Sequence, residues 1–249
     1  MQKNSSKKMG IWLPFTRYGQ RELMLLTALM SGAAAAGYHW WPGAPVEVKF
    51  LPLALLLVIG GFFRDPPRRI RAGEGVLLAP ADGKITDISE VEEPDFIGGR
   101  ALRIGIFLSV FNVHLNRAPC DGRVAFIDGK PGKFINALKW QAASQENQYN
   151  RLGLECPEHP AGKVLVKQIT GAIARRIVCA CRMGEEVAAG QKFGMIKFGS
   201  RTELFIPADA AAAVAVRVGE KVKAGTTVLV KYGVASANRN QAELISSES

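Results

Sequence analysis

Apolar positions in this chain fall into two textures. Residues 23 to about 41, and again 50–63, are apolar or small apart from His39, with no acidic residue, lysine or arginine among them. Pro42-Gly43-Ala44-Pro45 separates the two runs. The first run is about long enough for a helix that spans a bilayer, and the second, about 14 residues, is short for one. Basic residues flank the outer ends: Lys3, Lys7, Lys8, Arg17 and Arg21 before, and Arg64, Arg68, Arg69 and Arg71 after. This pattern predicts an N-terminal helical membrane hairpin with both ends in the cytoplasm, spanning the bilayer or lying in one leaflet. A pair of buried core helices is the soluble alternative. A cleaved signal peptide fits poorly, because the leading segment is long and a second apolar run follows at once.

From Gly73 onward, short runs rich in β-branched residues alternate with Gly, Pro and Asp. Strands are predicted over 76–78, 84–88, 102–110, 123–127, 163–169, 175–181, 195–198 and 203–207, with short helical turns at 171–176 and 209–213. One unit recurs: Gly184-Glu185-Glu186-Val187-Ala188-Ala189-Gly190 returns as Gly219-Glu220-Lys221-Val222-Lys223-Ala224-Gly225, and Lys197-Phe198-Gly199 as Lys231-Tyr232-Gly233. Periodicity supports repeated hairpin units. By resemblance they look like the halves of a lipoyl/biotinyl-type sandwich. The expected fold is therefore mainly β, a β-rich sandwich of repeated hairpins with few short helices, plus the helical hairpin. The expected segments are a basic 1–21, a membrane hairpin 22–63, a catalytic domain 64–235 and a loose polar tail 236–249.

Composition narrows the function classes. The 249 residues are 48% apolar and 22% charged, which excludes wholesale disorder. A net charge of +10 suits an anionic membrane surface, an acidic substrate or nucleic acid. No zinc-finger or RNP-like motif supports nucleic acid, and the charge gathers beside the apolar runs. Cys120, Cys156, Cys179 and Cys181 form no CxxC pair and have no histidine at metal spacing, so reduced thiols and no metal are expected.

Candidate chemistry starts from three histidines. His39 reads as interfacial and His159 as a loop residue. His114, in Phe111-Asn112-Val113-His114-Leu115-Asn116-Arg117, follows an apolar run and is either a satisfied structural histidine or a base. Asp82, in Ala79-Pro80-Ala81-Asp82-Gly83, is either ordinary turn chemistry or its partner. Gly199-Ser200 joins two predicted strands, and alone such a pair is a flexible turn.

Taken together, Ala79-Pro80-Ala81-Asp82-Gly83, the segment from Phe107 through His114 to Pro119, and Phe198-Gly199-Ser200-Arg201 resemble phosphatidylserine decarboxylase proenzymes of the short bacterial and archaeal type. Gly122, Glu146-Asn147, the 171–176 stretch and the leader ending in Phe-Phe-Arg-Asp-Pro look like that family too. The resemblance implies self-cleavage between Gly199 and Ser200, with Ser200 as nucleophile, His114 as base and Asp82 orienting it. Fragments 1–199 and 200–249 stay associated, and Ser200 becomes a covalent pyruvoyl cofactor. It also implies decarboxylation of phosphatidylserine to phosphatidylethanolamine at the inner or cell membrane, with the catalytic domain on the cytoplasmic side; a homodimer is left open. Some longer relatives carry a second histidine where this chain has Phe111, so the proton donor for decarboxylation is not named by motif; His114 or a water is the candidate. Two rivals remain. A biotin carrier would need a lysine at the hairpin tip, where Ser200 stands. A non-catalytic membrane-anchored protein that binds lipid or a partner would leave the Gly199-Ser200 bond intact.

Overall fold

The structure, a computed structural model, describes residues 15–135, 140–171, 176–197, 200–208 and 212–233. The chain divides into two units, 1–67 and 68–249.

The first unit carries the two long helices, α1 (Gln20–Trp40) and α2 (Val46–Phe62). α1 follows a 3-10 turn, Arg17–Gly19, capped by the Thr16 hydroxyl. The Thr16 N–H donates to the Phe63 carbonyl at 2.8 Å, so the start of α1 and the end of α2 lie side by side as a hairpin. Gly19 is obligatory there, since a Cβ would sit 2.0 Å from the Phe63 ring. Met24, Leu25, Leu29 and Trp40 on α1, and Phe50, Leu51, Leu53, Leu57 and Val58 on α2, are exposed. Among the described residues, no helix is long and apolar enough to cross a membrane.

The second unit is built from fourteen strands and one short helix among its described residues. The strands are β1 (Val76–Leu78), β2 (Gly83–Glu93), β3 (Gly99–Leu108), β4 (Leu115–Arg117), β5 (Gly122–Lys130), β6 (Tyr149–Cys156) and β7 (Gly162–Ile169). There follow β8 (Arg176–Cys179), β9 (Glu186–Val187), β10 (Lys192–Lys197), β11 (Ser200–Pro207), β12 (Ala212–Val214), β13 (Lys221–Val222) and β14 (Val228–Tyr232). The helix, α3 (Trp140–Glu146), precedes β6. An eight-stranded sheet runs β13-β2-β3-β11-β7-β6-β5-β9, and two three-stranded sheets run β1-β14-β12 and β4-β10-β8.

That order is symmetric. Read inward from its two edges, the large sheet pairs β13 with β9, β2 with β5, β3 with β6 and β11 with β7; the small sheets match strand for strand. The hydrogen bonds repeat in the same way. Asp82 Oδ1 accepts the Ala224 N–H at 2.8 Å, and Asp121 Oδ1 accepts the Ala189 N–H at 2.9 Å. Gly225 N–H reaches the Ala79 carbonyl at 2.9 Å, as Gly190 N–H reaches that of Ala118 at 2.8 Å. Where the halves meet, Leu78 N–H donates to Pro119 and Arg117 N–H to Pro80, both at 2.9 Å. One half is contiguous, β4 to β10. The other is split: β1 to β3 precede the contiguous half and β11 to β14 follow it.

The core gathers Leu77, Ile85, Ile104, Ile106, Leu152, Val164, Phe193, Leu204 and Leu229, so it draws on all three sheets. A smaller cluster, Phe96, Ala101, Leu165 and Phe205, includes Phe205 of β11, which points away from Leu204 and Ile206 in the main core. The expected β-rich character holds. The repeated Glu-x-Val units are β9 and β13, which edge the large sheet against β5 and β2. Of the expected helical turns, 172–175 and 209–211 lie outside the described residues; Arg176 begins β8, and Ala212 and Ala213 lie in β12. The polar tail from 234 and the first 14 residues also lie outside them.

Candidate active site

Ser200 begins β11 at the point where the chain returns from the inserted half to the split one. The preceding strand β10 belongs to a small sheet and β11 to the large one. Ser200 pairs with Leu108 at the end of β3, and Arg201 with Ile169 of β7. Gly199 and Phe198 lie outside the described residues. Ser200 is fully buried, and its Oγ has no hydrogen-bond partner among the described residues. An orphaned buried hydroxyl costs about 1–3 kcal/mol. A structural serine in a packed strand would be satisfied or replaced by alanine, so this hydroxyl calls for a use.

The segment 109–114 links Leu108 to β4 and holds His114. Its two ends are fastened to the strands on either side of the 198–199 junction: Leu108 pairs with Ser200, and the His114 carbonyl accepts the Ile196 N–H at 3.2 Å. Within the loop, Asn112 Oδ1 accepts the Ser109 N–H at 2.9 Å and the Ser109 hydroxyl at 2.8 Å. His114 is fully buried, and its Nδ1 lies 3.0 Å from the Asn112 carbonyl oxygen. A carbonyl can only accept, so Nδ1 carries the proton and Nε2 is the basic nitrogen. Two residues beyond His114 and Ser200 stand Asn116 and Thr202, joined Nδ2 to Oγ1 at 3.1 Å. Gln168 donates to Asn116 Oδ1 at 2.8 Å and accepts from Asn150 at 3.1 Å. This polar network fastens β4 to β11 and β7 beside the serine.

Asp82 is buried in the turn between β1 and β2. Its Oδ2 pairs with Arg68 at 2.7 Å, and its Oδ1 takes the Ala224 N–H. The Asn112 carbonyl thus orients the His114 ring, while Arg68 and the Ala224 N–H hold the Asp82 oxygens. The Asp82 turn nevertheless abuts β4, since the Pro80 carbonyl accepts the Arg117 N–H. Phe111 is 82% exposed at the tip of the 109–114 loop.

Beneath Ser200, side chains of alternate parity on β11 form a second buried cluster. Arg201 and Glu203 are fully buried and joined at 2.7 Å, with Asp87, Thr86 and Ser144 around them. Lys167, opposite Glu203, donates to the Ser144 carbonyl at 2.7 Å. Burial pulls the Lys167 ammonium below the usual lysine range, against the opposing pull of Glu203. Sequence reasoning missed these residues because Arg-Thr-Glu in a strand reads as a solvent face. It also missed the second Ala-Pro-x-Asp-Gly turn, Ala118-Pro119-Cys120-Asp121-Gly122, whose likeness to the turn at Asp82 is plain in the sequence. A cavity of about 830 Å³ lies at that second turn; Cys120, Asp121, Cys156 and His159 line it.

A family model described as phosphatidylserine decarboxylase matches residues 55–230. The phosphatidylserine decarboxylase proenzyme of Rhodopirellula baltica is 48% identical over 221 residues, covering 88% of this chain and 89% of that protein. Its namesake from Symbiobacterium thermophilum is 44% identical over 192 residues, 77% of this chain and 84% of that one. Its namesake from Chlorobium luteolum is 38% identical over 217 residues, 87% and 99% of the two chains. The chain belongs to the phosphatidylserine decarboxylase family.

Proposed function

We propose that this chain is a proenzyme that cuts itself between Gly199 and Ser200, converts Ser200 to a pyruvoyl group and decarboxylates phosphatidylserine to phosphatidylethanolamine. The observation that carries the reading is the fully buried Ser200 Oγ at the head of β11, which has no hydrogen-bond partner among the described residues. The names of the relatives, proenzymes of a decarboxylase, support it.

His114 Nε2 takes the Ser200 hydroxyl proton, and Oγ attacks the Gly199 carbonyl carbon. The C–N bond breaks as the C–O bond forms, and the proton passes to the new amine. Loss of the Ser200 α-proton then expels Gly199 as a carboxylate from Cβ. Water replaces the nitrogen, which leaves as ammonia, and position 200 becomes a ketone. The sum is one water consumed, one ammonia released and two chains made. The Asn112 carbonyl fixes the histidine tautomer. Asp82 acts by holding its turn against β4, the strand that follows His114, while Arg68 and the Ala224 N–H occupy its oxygens.

The buried position that Ser200 fills fits the small group it would become, and position 200 holds it by the main chain. Once formed, that group supplies a carbonyl to take up a primary amine and an electron sink for the pair left by carbon dioxide. The chain's own residues orient the lipid headgroup and return a proton. Phe111 cannot carry that proton, so His114 or a water does. The two-helix hairpin, with its exposed apolar side chains, holds the protein to the membrane, with the catalytic unit on the cytoplasmic side. The quasi-two-fold duplication supports a lipoyl/biotinyl-type plan for the catalytic unit.

The test is carbon dioxide release from phosphatidylserine vesicles. Wild type is expected to release it, while Ser200→Ala gives none and His114→Gln matures at least about a hundredfold more slowly. Undiminished release by Ser200→Ala would refute the proposal.

A further inference from the structure

Arg201 is the second residue after the Gly199-Ser200 bond, and among the described residues it is the largest fully buried side chain. It points away from the Ser200 side of β11, as alternation requires. Its Nε donates to Glu203 Oε1 at 2.7 Å; Nη1 donates to Thr86 Oγ1 and Nη2 to Asp87 Oδ1, each at 2.5 Å. Thr86 and Asp87 lie on β2, so the guanidinium crosses the whole width of β3 to reach them. Gly105 of β3 opens that path: a Cβ there would lie 1.9 Å from Arg201 Nη2 and 2.4 Å from Asp87 Oδ1. Arg103 holds the other Asp87 oxygen at 3.2 Å, and Ser144 the other Glu203 oxygen at 3.0 Å.

Such a cluster is costly. Burying charges loses hydration worth several kcal/mol per ion, and apolar residues of similar volume commonly serve stability as well or better. Its location suggests what it does. Before cleavage, position 200 is held covalently on both sides. Afterwards it is a chain end, and chain ends fray unless tied down. Thr86 and Asp87 belong to the large fragment, so the Arg201 fork ties the second residue of the small fragment across the break.

We propose that Arg201 is a positioning residue whose ties to Thr86 and Asp87 hold position 200 against β3 during the attack and after the bond has broken. The inference rests on the cleavage reading, since an uncut chain has no end to hold. Arg201→Lys keeps the charge but loses the fork, and Asp87→Asn keeps the shape but loses the charge. Arg151→Met is the control. Arg151 is a partly buried arginine of β6, two strands from β11 on the other side from β2, and it is bound to Glu93, Asp95 and Asp128.

The readouts are the rate of fragment appearance by intact mass, the melting temperature, and kcat and KM on the fraction that matures. Arg201→Lys and Asp87→Asn are expected to cut at least about tenfold more slowly than Arg151→Met at matched melting temperature. Matured material should lose kcat with KM unchanged, and the double variant should be no slower than the worse single one, as for residues acting as one unit. Losses that only track melting temperature, or additive losses, overturn the proposal. Where a variant does not fold, hydrogen exchange on matured wild type decides. Amides of residues 201–204 as protected as their β3 partners support the clamp, and progressive fraying from position 200 overturns it. A wild type that stays one chain sinks the cleavage reading itself, whereas a cut wild type with indifferent Arg201 variants sinks only the clamp.

Discussion

A histidine serves as a base only through a ring nitrogen that carries no proton. His114 meets that condition through the Asn112 carbonyl two residues upstream, a contact that no motif announces. The sequence singled out this histidine, Ser200 and the Asp82 turn by their resemblance to family motifs. The hydrogen bond that sets the tautomer has no such signal, because a main-chain carbonyl carries no residue identity. His159 supplies the contrasting case. Its Nδ1 accepts the Ala161 N–H at 3.1 Å, its ring packs edge-on against Tyr232, and burial holds its pKa below the ordinary 6.5. The unfolded chain therefore takes up a proton that the fold resists, and stability is lost as pH falls through 6.5 toward the folded value. Melting curves between pH 7 and pH 5 should fall less steeply for His159→Gln than for wild type. Equal slopes would remove His159 as a source of acid sensitivity.

At the scale of elements, strands with β-branched alternation were legible: β1, β5, β7 and β11 lie where the pattern put them, within a few residues. β4, β9 and β13 were not, since two or three residues carry no period. β6 was missed because Tyr149-Asn150-Arg151 opens it with polar groups; Asn150 serves the buried network and Arg151 an ion cluster. The duplicated turns explain the placement of glycines better than flexibility does. Gly225 has φ +69°, and a Cβ there would meet Ile70 at 2.9 Å and Arg117 at 3.1 Å. Gly225→Ala should therefore cost at least about 1–2 kcal/mol from the left-handed backbone alone. Chemical denaturation measures it, and a loss under a few tenths of a kcal/mol would contradict the account.

For the whole molecule, the split half would keep a chain cut at 199–200 as one body. The small fragment's β11 lies between β3 and β7, β14 beside β1, and β13 beside β2, all strands of the large fragment. Leu204, Ile206, Leu229 and Val230 of the small fragment are buried in the common core. The fragments should migrate together in gel filtration and separate only on denaturation; dissociation on cleavage would contradict the sheet order as the bond between them. The nested repeat was half legible, through the Gly-Glu-x-Val-x-x-Gly units. Its topology was not, because the split half is interrupted by the entire contiguous one. The central claim is that the interruption ends at a bond the protein breaks itself. Intact mass spectrometry of the purified protein tests this most directly. The account predicts chains 1–199 and 200–249, the smaller lacking a free amino terminus, with masses that sum to the uncut chain plus water minus ammonia. A single uncut chain in a preparation that decarboxylates phosphatidylserine would contradict it.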